Sequence, residues 1–315
     1  MKKTDKKLLK IIATAFIALA FLILTIFLNL KDNINVNEAF KTAGLKDKNI
    51  ATKQDFCAYF IDVGQGDCSL IKSGNKYMLI DSGNISDGEK IAEFLKSVGC
   101  NELEYVVATH PHADHIGGMV YVINKIKVKN VIMPDIPEKI MPTTKNFVNL
   151  LNAVKSGGAK VYKAQQVDEF ELGNSKVKVF SPKTDFESLN NMSVVMKITY
   201  GKKSFLFTGD MEKEAEYNVL KGLGKNKSDL NCDVLKVAHH GGSTSSTKPF
   251  IKEVSPEFAV ISCGLNNSYH HPHPSVVKTL KENDVKIYRT DKNGTVYIGT
   301  DGEKLFCYTN EQIGG

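Results

Sequence analysis

All eight histidines of this 315-residue chain fall in three short segments. His110, His112 and His115 stand in "THPHADHIGG", His239 and His240 in "KVAHHGG", and His270, His271 and His273 in "NSYHHPHP". None occurs between His115 and His239. Histidines used as ordinary surface or core residues would scatter. Concentration at three points demands a fold that brings distant loops together, and a metal site is what such loops can build.

"HPHADH" carries most of the donors. His110 and His112 lie two apart at the end of an apolar run, so in extended chain both imidazoles point to one side. Asp114 and His115 follow as the chain turns into a helix, and their offset suits a second metal nearby. Imidazole with carboxylate suits zinc, manganese or iron. Gly117 and Gly118 let the backbone pass close to such a site.

The remaining pattern describes the scaffold. "FCAYFIDVG", "CSLIKSG" and "KYMLIDSG" are short apolar runs closed by glycine turns, a strand meander. "DGEKIAEFLKSVG" has apolar residues at 91, 94, 95 and 98 and glycine at 99, an amphipathic helix with its stop signal. "LEYVVATH" reads as a buried strand ending in His110. Strand-like runs recur at 129–133, 160–163, 176–181, 193–200, 203–208, 233–238, 257–262, 285–289 and 294–299. Helix-like segments fall near 116–125, 143–156, 211–221, 246–253 and 275–282. Helices and strand meanders in both halves predict two packed sheets with helices outside, a layered α/β domain over residues 55–315.

The first thirty residues stand apart. Lysines precede residues 11–30, twenty positions without a charge, enough to cross about 30 Å of hydrocarbon as a helix. The lysine bias places the N-terminus inside the cell and the rest outside. A cleaved signal peptide is the alternative, but its apolar core is usually shorter. Residues 31–54 are polar and aperiodic, a spacer. The formal charge of +6 falls to +2 beyond the anchor, which excludes a globally basic nucleic-acid binder. Six cysteines without a C-x-x-C pair lie mostly in apolar runs, as unpaired buried thiols do.

H-x-H-x-D-H at a strand end resembles the signature of the metallo-β-lactamase superfamily. That resemblance implies an αβ/βα four-layer sandwich, preceded here by one transmembrane helix, with a one- or two-metal site. "FIDVGQGDCSLI", "LIDSG", "THPHADHIGG", "NNMSVVMKI", "FLFTGD", "LKVAHHGGSTSS" and "NSYHHPHP" follow in order the soluble domain of ComEC-type competence proteins. Those proteins also carry a multi-helix channel; a single apolar stretch makes this chain similar to a stand-alone relative.

The resemblance implies Asp210 as a carboxylate bridging two metals, divalent zinc or manganese. His110 and His112 belong to the first metal, Asp114 and His115 to the second. One of His239 and His240 completes the second site; the reading favours His239, with His240 beside it or facing substrate. Many superfamily members supply a third histidine to the first metal from the region before Asp210. Here Asn190, Asn191 and Ser193 stand instead, and Asn191 is expected to ligate weakly or to hold water or phosphate. Asp114 and His271 are the expected catalytic residues, His271 as a proton donor to a leaving alkoxide. "GGSTSST", with Ser243, offers a phosphate perch at a helix start. Asp81 is expected to brace the metal loops by hydrogen bonding, and Asp62, Gln65 and Asp67 to serve structure.

The implied activity is an extracytoplasmic phosphodiesterase or nuclease acting on DNA. The alternatives are a phosphodiesterase of cell-wall polymers, of the teichoic acid phosphorylcholine type, and a non-catalytic module of a DNA-uptake or envelope complex. Retention of Asp114 and Asp210 weighs against the last.

Overall fold

The computed structural model describes residues 54–182 and 186–309. The expected anchor, residues 1–30, and all but the last residue of the spacer lie outside them. Among the described residues no helix is long and apolar enough to cross a membrane.

Fifteen strands form two sheets among these residues. In chain order the first sheet begins with β1 (Phe56–Phe60), β2 (Ser69–Ser73), β3 (Lys76–Ile80), β4 (Glu102–Val107), β5 (Lys127–Met133) and β6 (Lys160–Lys163). The second contains β7 (Glu169–Leu172), β8 (Ser175–Val179), β9 (Met196–Tyr200), β10 (Lys203–Phe207), β11 (Val234–Lys236), β12 (Phe258–Ile261) and β13 (Lys286–Arg289). The chain then returns to the first sheet with β14 (Val296–Thr300) and β15 (Leu305–Thr309). Strand orders are β15-β14-β1-β2-β3-β4-β5-β6 and β13-β12-β11-β10-β9-β8-β7.

Alternation along single strands shows why the sheets are buried on both faces. Phe56, Ala58 and Phe60 of β1 enter the core between the sheets. Their neighbours Cys57, Tyr59 and Ile61 enter a second core, under the helices α1 (Gly88–Ser97), α2 (Ala113–Ile116), α3 (Met119–Lys125) and α4 (Lys145–Gly157). On β10, Phe205 and Phe207 face inward. Leu206 faces a third core beneath α5 (Lys213–Leu223), α6 (Lys248–Val254) and α7 (Pro274–Glu282). Phe60 stacks on Phe207 across the sandwich at 5.8 Å. Burying a side chain of that size stabilises by roughly 1.5–3 kcal/mol. Three cores separate four layers, the αβ/βα arrangement expected.

The two sheets also share a polarity. β3, β4, β5 and β6 pair in parallel, as do β10, β11, β12 and β13. Segments with metal-ligand chemistry follow the C-terminal ends of β3, β4, β10, β11 and β12, where open α/β sheets place their sites.

Two strands escape the sequence pattern. β7 and β15 end their sheets, and each leaves much of its surface partly exposed. An edge strand need not be continuously apolar, so the signal is weak.

Candidate metal centre

Asp210 sits at the middle of the site. It follows β10 through Gly209, whose φ is 52° and whose added Cβ would lie 2.9 Å from the Ser193 side chain. Glycine is what that approach and that backbone require. The Ser193 hydroxyl accepts the Asp210 amide at 3.0 Å. Oδ2 of Asp210 then lies 3.3 Å from Nε2 of His115, 3.6 Å from His240, 3.8 Å from His110 and 3.9 Å from His239. Oδ1 of the same carboxylate is buried without a hydrogen-bond partner.

The segment after β4 supplies four of the donors, His110, His112, Asp114 and His115. His110 Nε2 lies 2.9 Å from His112 Nδ1. His115 Nδ1 lies 2.8 Å from Asp81 Oδ2, which orients the ring and leaves Nε2 toward Asp210. Asp81 also accepts from the amide and hydroxyl of Thr109, at 2.9 and 2.6 Å. One carboxylate thus braces both ends of the histidine loop, the outer hydrogen bonding that metal-ligating imidazoles use. An added Cβ on Gly117 would meet the Asn84 backbone at 2.4 Å, so the loop packs directly on the turn after β3.

His239 and His240 both take positive φ, 51° and 52°, a conformation uncommon in residues other than glycine. Their rings separate to 6.3 Å. His240 Nδ1 meets the Ser262 carbonyl at 3.0 Å. Its Nε2 lies 3.3 Å from both Asp114 Oδ2 and His115 Nε2. His239 Nδ1 is held by Thr244 Oγ1 at 3.1 Å, with Glu212 at 3.5 Å. The place beside Asp114 and His115 therefore goes to His240, not to the expected His239. The physical reason is the paired left-handed backbone, which turns the second ring inward and leaves the first near Asn190, at 3.4 Å.

Other expectations shift in the same way. Asn191 uses its Oδ1 to accept the Glu212 amide at 3.0 Å, so it supports the Asp210 turn; Asn190, with a buried unpartnered Oδ1, faces the site. Ser243 is exposed. The rest of its loop is already engaged: Glu216 accepts from the amides of Ser246 and Thr247 and from the Thr247 hydroxyl. The start of α6 is thus filled by the chain's own carboxylate. His273 caps α7, its Nδ1 accepting from Ser275.

Two residues were under-read from sequence. Asp67, expected to be structural, has a carboxylate oxygen that lies with one donor atom each of His115, Asp210 and His240 within 4.8 Å. Lys236, hidden in the apolar run of β11, donates to Asp67 Oδ2 at 2.7 Å while buried. A lysine in an otherwise apolar strand was the available signal, since such a group is buried only with a partner.

The protonation pattern suits cation binding. Burial, then the neighbouring His115, holds His110 well below the usual imidazole range, and burial lowers His112. Burial opposes ionisation of Asp210, but the imidazoles of His115 and His240 outweigh it and hold the carboxyl well below its range. Asp114 is likewise lowered against its burial by His240 and His115. Against their burial, Asp210 and Asp81 raise His115 well above the usual imidazole range and Asp210 with Asp114 raises His240. Positive charge thus already gathers beside the ionised carboxylates, and a divalent ion would take the place of those protons. With the uncharged His110 and His112 and an orphaned buried Asp210 Oδ1, the donors fit divalent ions.

A model of the metallo-beta-lactamase superfamily matches residues 61–265. The chain belongs to that superfamily. Among curated members, ComE operon protein 3 of Bacillus subtilis is 33% identical over 261 residues, 75% of this chain and 32% of the relative. Competence protein ComA of Neisseria gonorrhoeae is 28% identical over 76% of this chain and 31% of its own. Recombination protein 2 of Haemophilus influenzae is 29% identical over 78% and 29%. The chain therefore spans about a third of the length of these relatives. Among solved structures, a CmlA beta-hydroxylase variant superimposes with a TM-score of 0.52 at 14% identity, over 78% of this chain and 54% of that one. The superfamily fold is thus common to the sequence and the structure, and the chain is a metallo-beta-lactamase-fold hydrolase related to competence proteins.

Proposed function

We propose that this hydrolase is a phosphodiesterase that cleaves DNA outside the cell membrane, held there by residues 11–30. The observation carrying the reading is Asp210 Oδ2, within 3.9 Å of four imidazole nitrogens. One carboxylate among four imidazoles, joined by Asp114, is a donor set for two cations. His115, His240, Asp114 and Asp210 would hold one ion; His110, His112 and Asp210 would hold the other, with His239 the nearest further imidazole. Zinc or manganese bound there supplies Lewis acidity and an activated water near neutral pH.

The chain's own residues do the rest. Asp81 and the Ser262 carbonyl fix the tautomers of His115 and His240. His271 meets His239 edge-on and stacks with His240, with ring centroids at 5.5 and 6.1 Å. Burial, then those two rings, pushes its pKa down to about 4. We assign His271 to the phosphodiester, as a hydrogen-bond donor to a phosphate oxygen or to the leaving alkoxide. Two of the relatives are named for competence and recombination, which favours DNA among phosphodiesters.

Incubating the purified chain, stripped and reloaded with zinc or manganese, with DNA and an aryl phosphodiester tests this. Cleavage of both is expected, with Asp210→Asn reducing it to background. Hydrolysis of lactams or thioesters in place of either phosphodiester sinks the reading.

A further inference from the structure

The loop after β12 holds a feature that hydrolysis itself does not use. Tyr269 is 66% exposed, and its ring lies on His271 with centroids 5.7 Å apart and planes 26° apart. His271 is in turn stacked on His240 at 6.1 Å and 24°. Three near-parallel rings thus run from the metal centre to solvent and end in an open aromatic face. Leu265, 71% exposed, stands on the same loop.

The loop is built rather than slack. The Asn267 amide donates to the carbonyls of Gly264 and His271, at 2.9 and 2.6 Å, and its Oδ1 accepts the His271 amide at 2.9 Å. Gln65 Oε1 accepts the Gly264 amide at 3.1 Å, tying the loop to the first sheet's side of the site. Such bracing holds an apolar ring in water, where it gains nothing by itself. Pro272 and Pro274 of the same segment border an open groove of about 560 Å³ that also holds Lys278, Lys281 and Arg289; Arg289 is bonded to the Asp291 carboxylate and Lys278 lies 3.7 Å from Glu282.

We propose that Tyr269 is a stacking platform for an unpaired nucleobase next to the cleaved phosphodiester, so that the preferred substrate is a single strand. Its backbone would continue along that groove, past Lys281. The proposal rests on the phosphodiesterase reading. A duplex keeps its base faces inside and offers only edges in its grooves, whereas every unpaired base presents a π-face that an aromatic ring accepts without regard to sequence.

The test mixes the metal-loaded full chain with a single-stranded oligonucleotide containing 2-aminopurine and reads fluorescence ahead of any cleavage. Wild type should quench the probe and bind the single strand more tightly than its duplex. An abasic residue at the platform position, or Tyr269→Ala, should weaken binding about ten-fold, and Tyr269→Trp should restore it. Unchanged binding and quenching in Tyr269→Ala overturns the proposal. So does equal affinity for duplex, or a tighter Tyr269-dependent affinity for a glycosyl wall polymer. Quenching without cleavage counts against the hydrolytic reading alone; cleavage without quenching counts against the platform alone.

Discussion

His239 and His240 are adjacent in sequence, yet they make different contacts because both take positive φ. His240 is enclosed by Asp114, His115 and Asp210; His239 is bonded outward to Thr244. Metal stoichiometry after mild dialysis should separate them. His240→Ala is expected to lose the ion shared with Asp114 and His115, whereas His239→Ala keeps it; the reverse pattern would restore the assignment expected from sequence. Lys236 makes a second single-residue case. Its ammonium pairs with Asp67 where both are buried. Removing one partner of a buried pair leaves an uncompensated charge and costs about 3–5 kcal/mol. Denaturant melts should show that loss for Lys236→Met, and adding Asp67→Asn should recover much of it.

Among elements, α5 and α6 depend on each other through Glu216. This buried carboxylate accepts the Ser246 and Thr247 amides at the start of α6, satisfying donors that a helix start leaves open and matching its dipole. Sequence alone suggests a phosphate perch there, because serine, threonine and glycine before a helix look the same whether a ligand or a distant glutamate fills the position. Glu216→Ala should lower unfolding free energy by about 1–3 kcal/mol, the penalty for stranding buried donors. A melt indistinguishable from wild type would show that water replaces the carboxylate. The elements hardest to read, β7 and β15, are edge strands, where half the surface is solvated and alternation fades.

The whole molecule is a sandwich whose three apolar layers absorb its cysteines. All six are free, and all but Cys307 are buried. Burial pushes Cys57 and Cys307 up to about 11, and Cys100 and Cys263 up to about 12. Raised thiol values mean fewer thiolates, and the thiolate is the reactive form; near pH 8, about one thiol in a thousand or fewer would be ionised. The folded chain should therefore resist iodoacetamide at these positions and label rapidly once denatured. Fast labelling of the native protein at Cys57 or Cys263 would contradict the packing described.

The sequence by itself determined the family, the layered α/β class and the residue types at the site. Short-range pattern is enough for these: two-residue spacing in "HPHADH", apolar runs ending in glycine, and histidines confined to three segments. Tertiary structure alone decided which neighbour turns inward at 239–240, that Asn190 rather than Asn191 faces the centre, and that Glu216 fills the start of α6. It also placed Tyr269 on His271 at the rim. Each of these depends on backbone torsions, or on a partner between two and forty-nine positions away. Local periodicity specifies which face a side chain takes within its own element, not what another element brings to meet it.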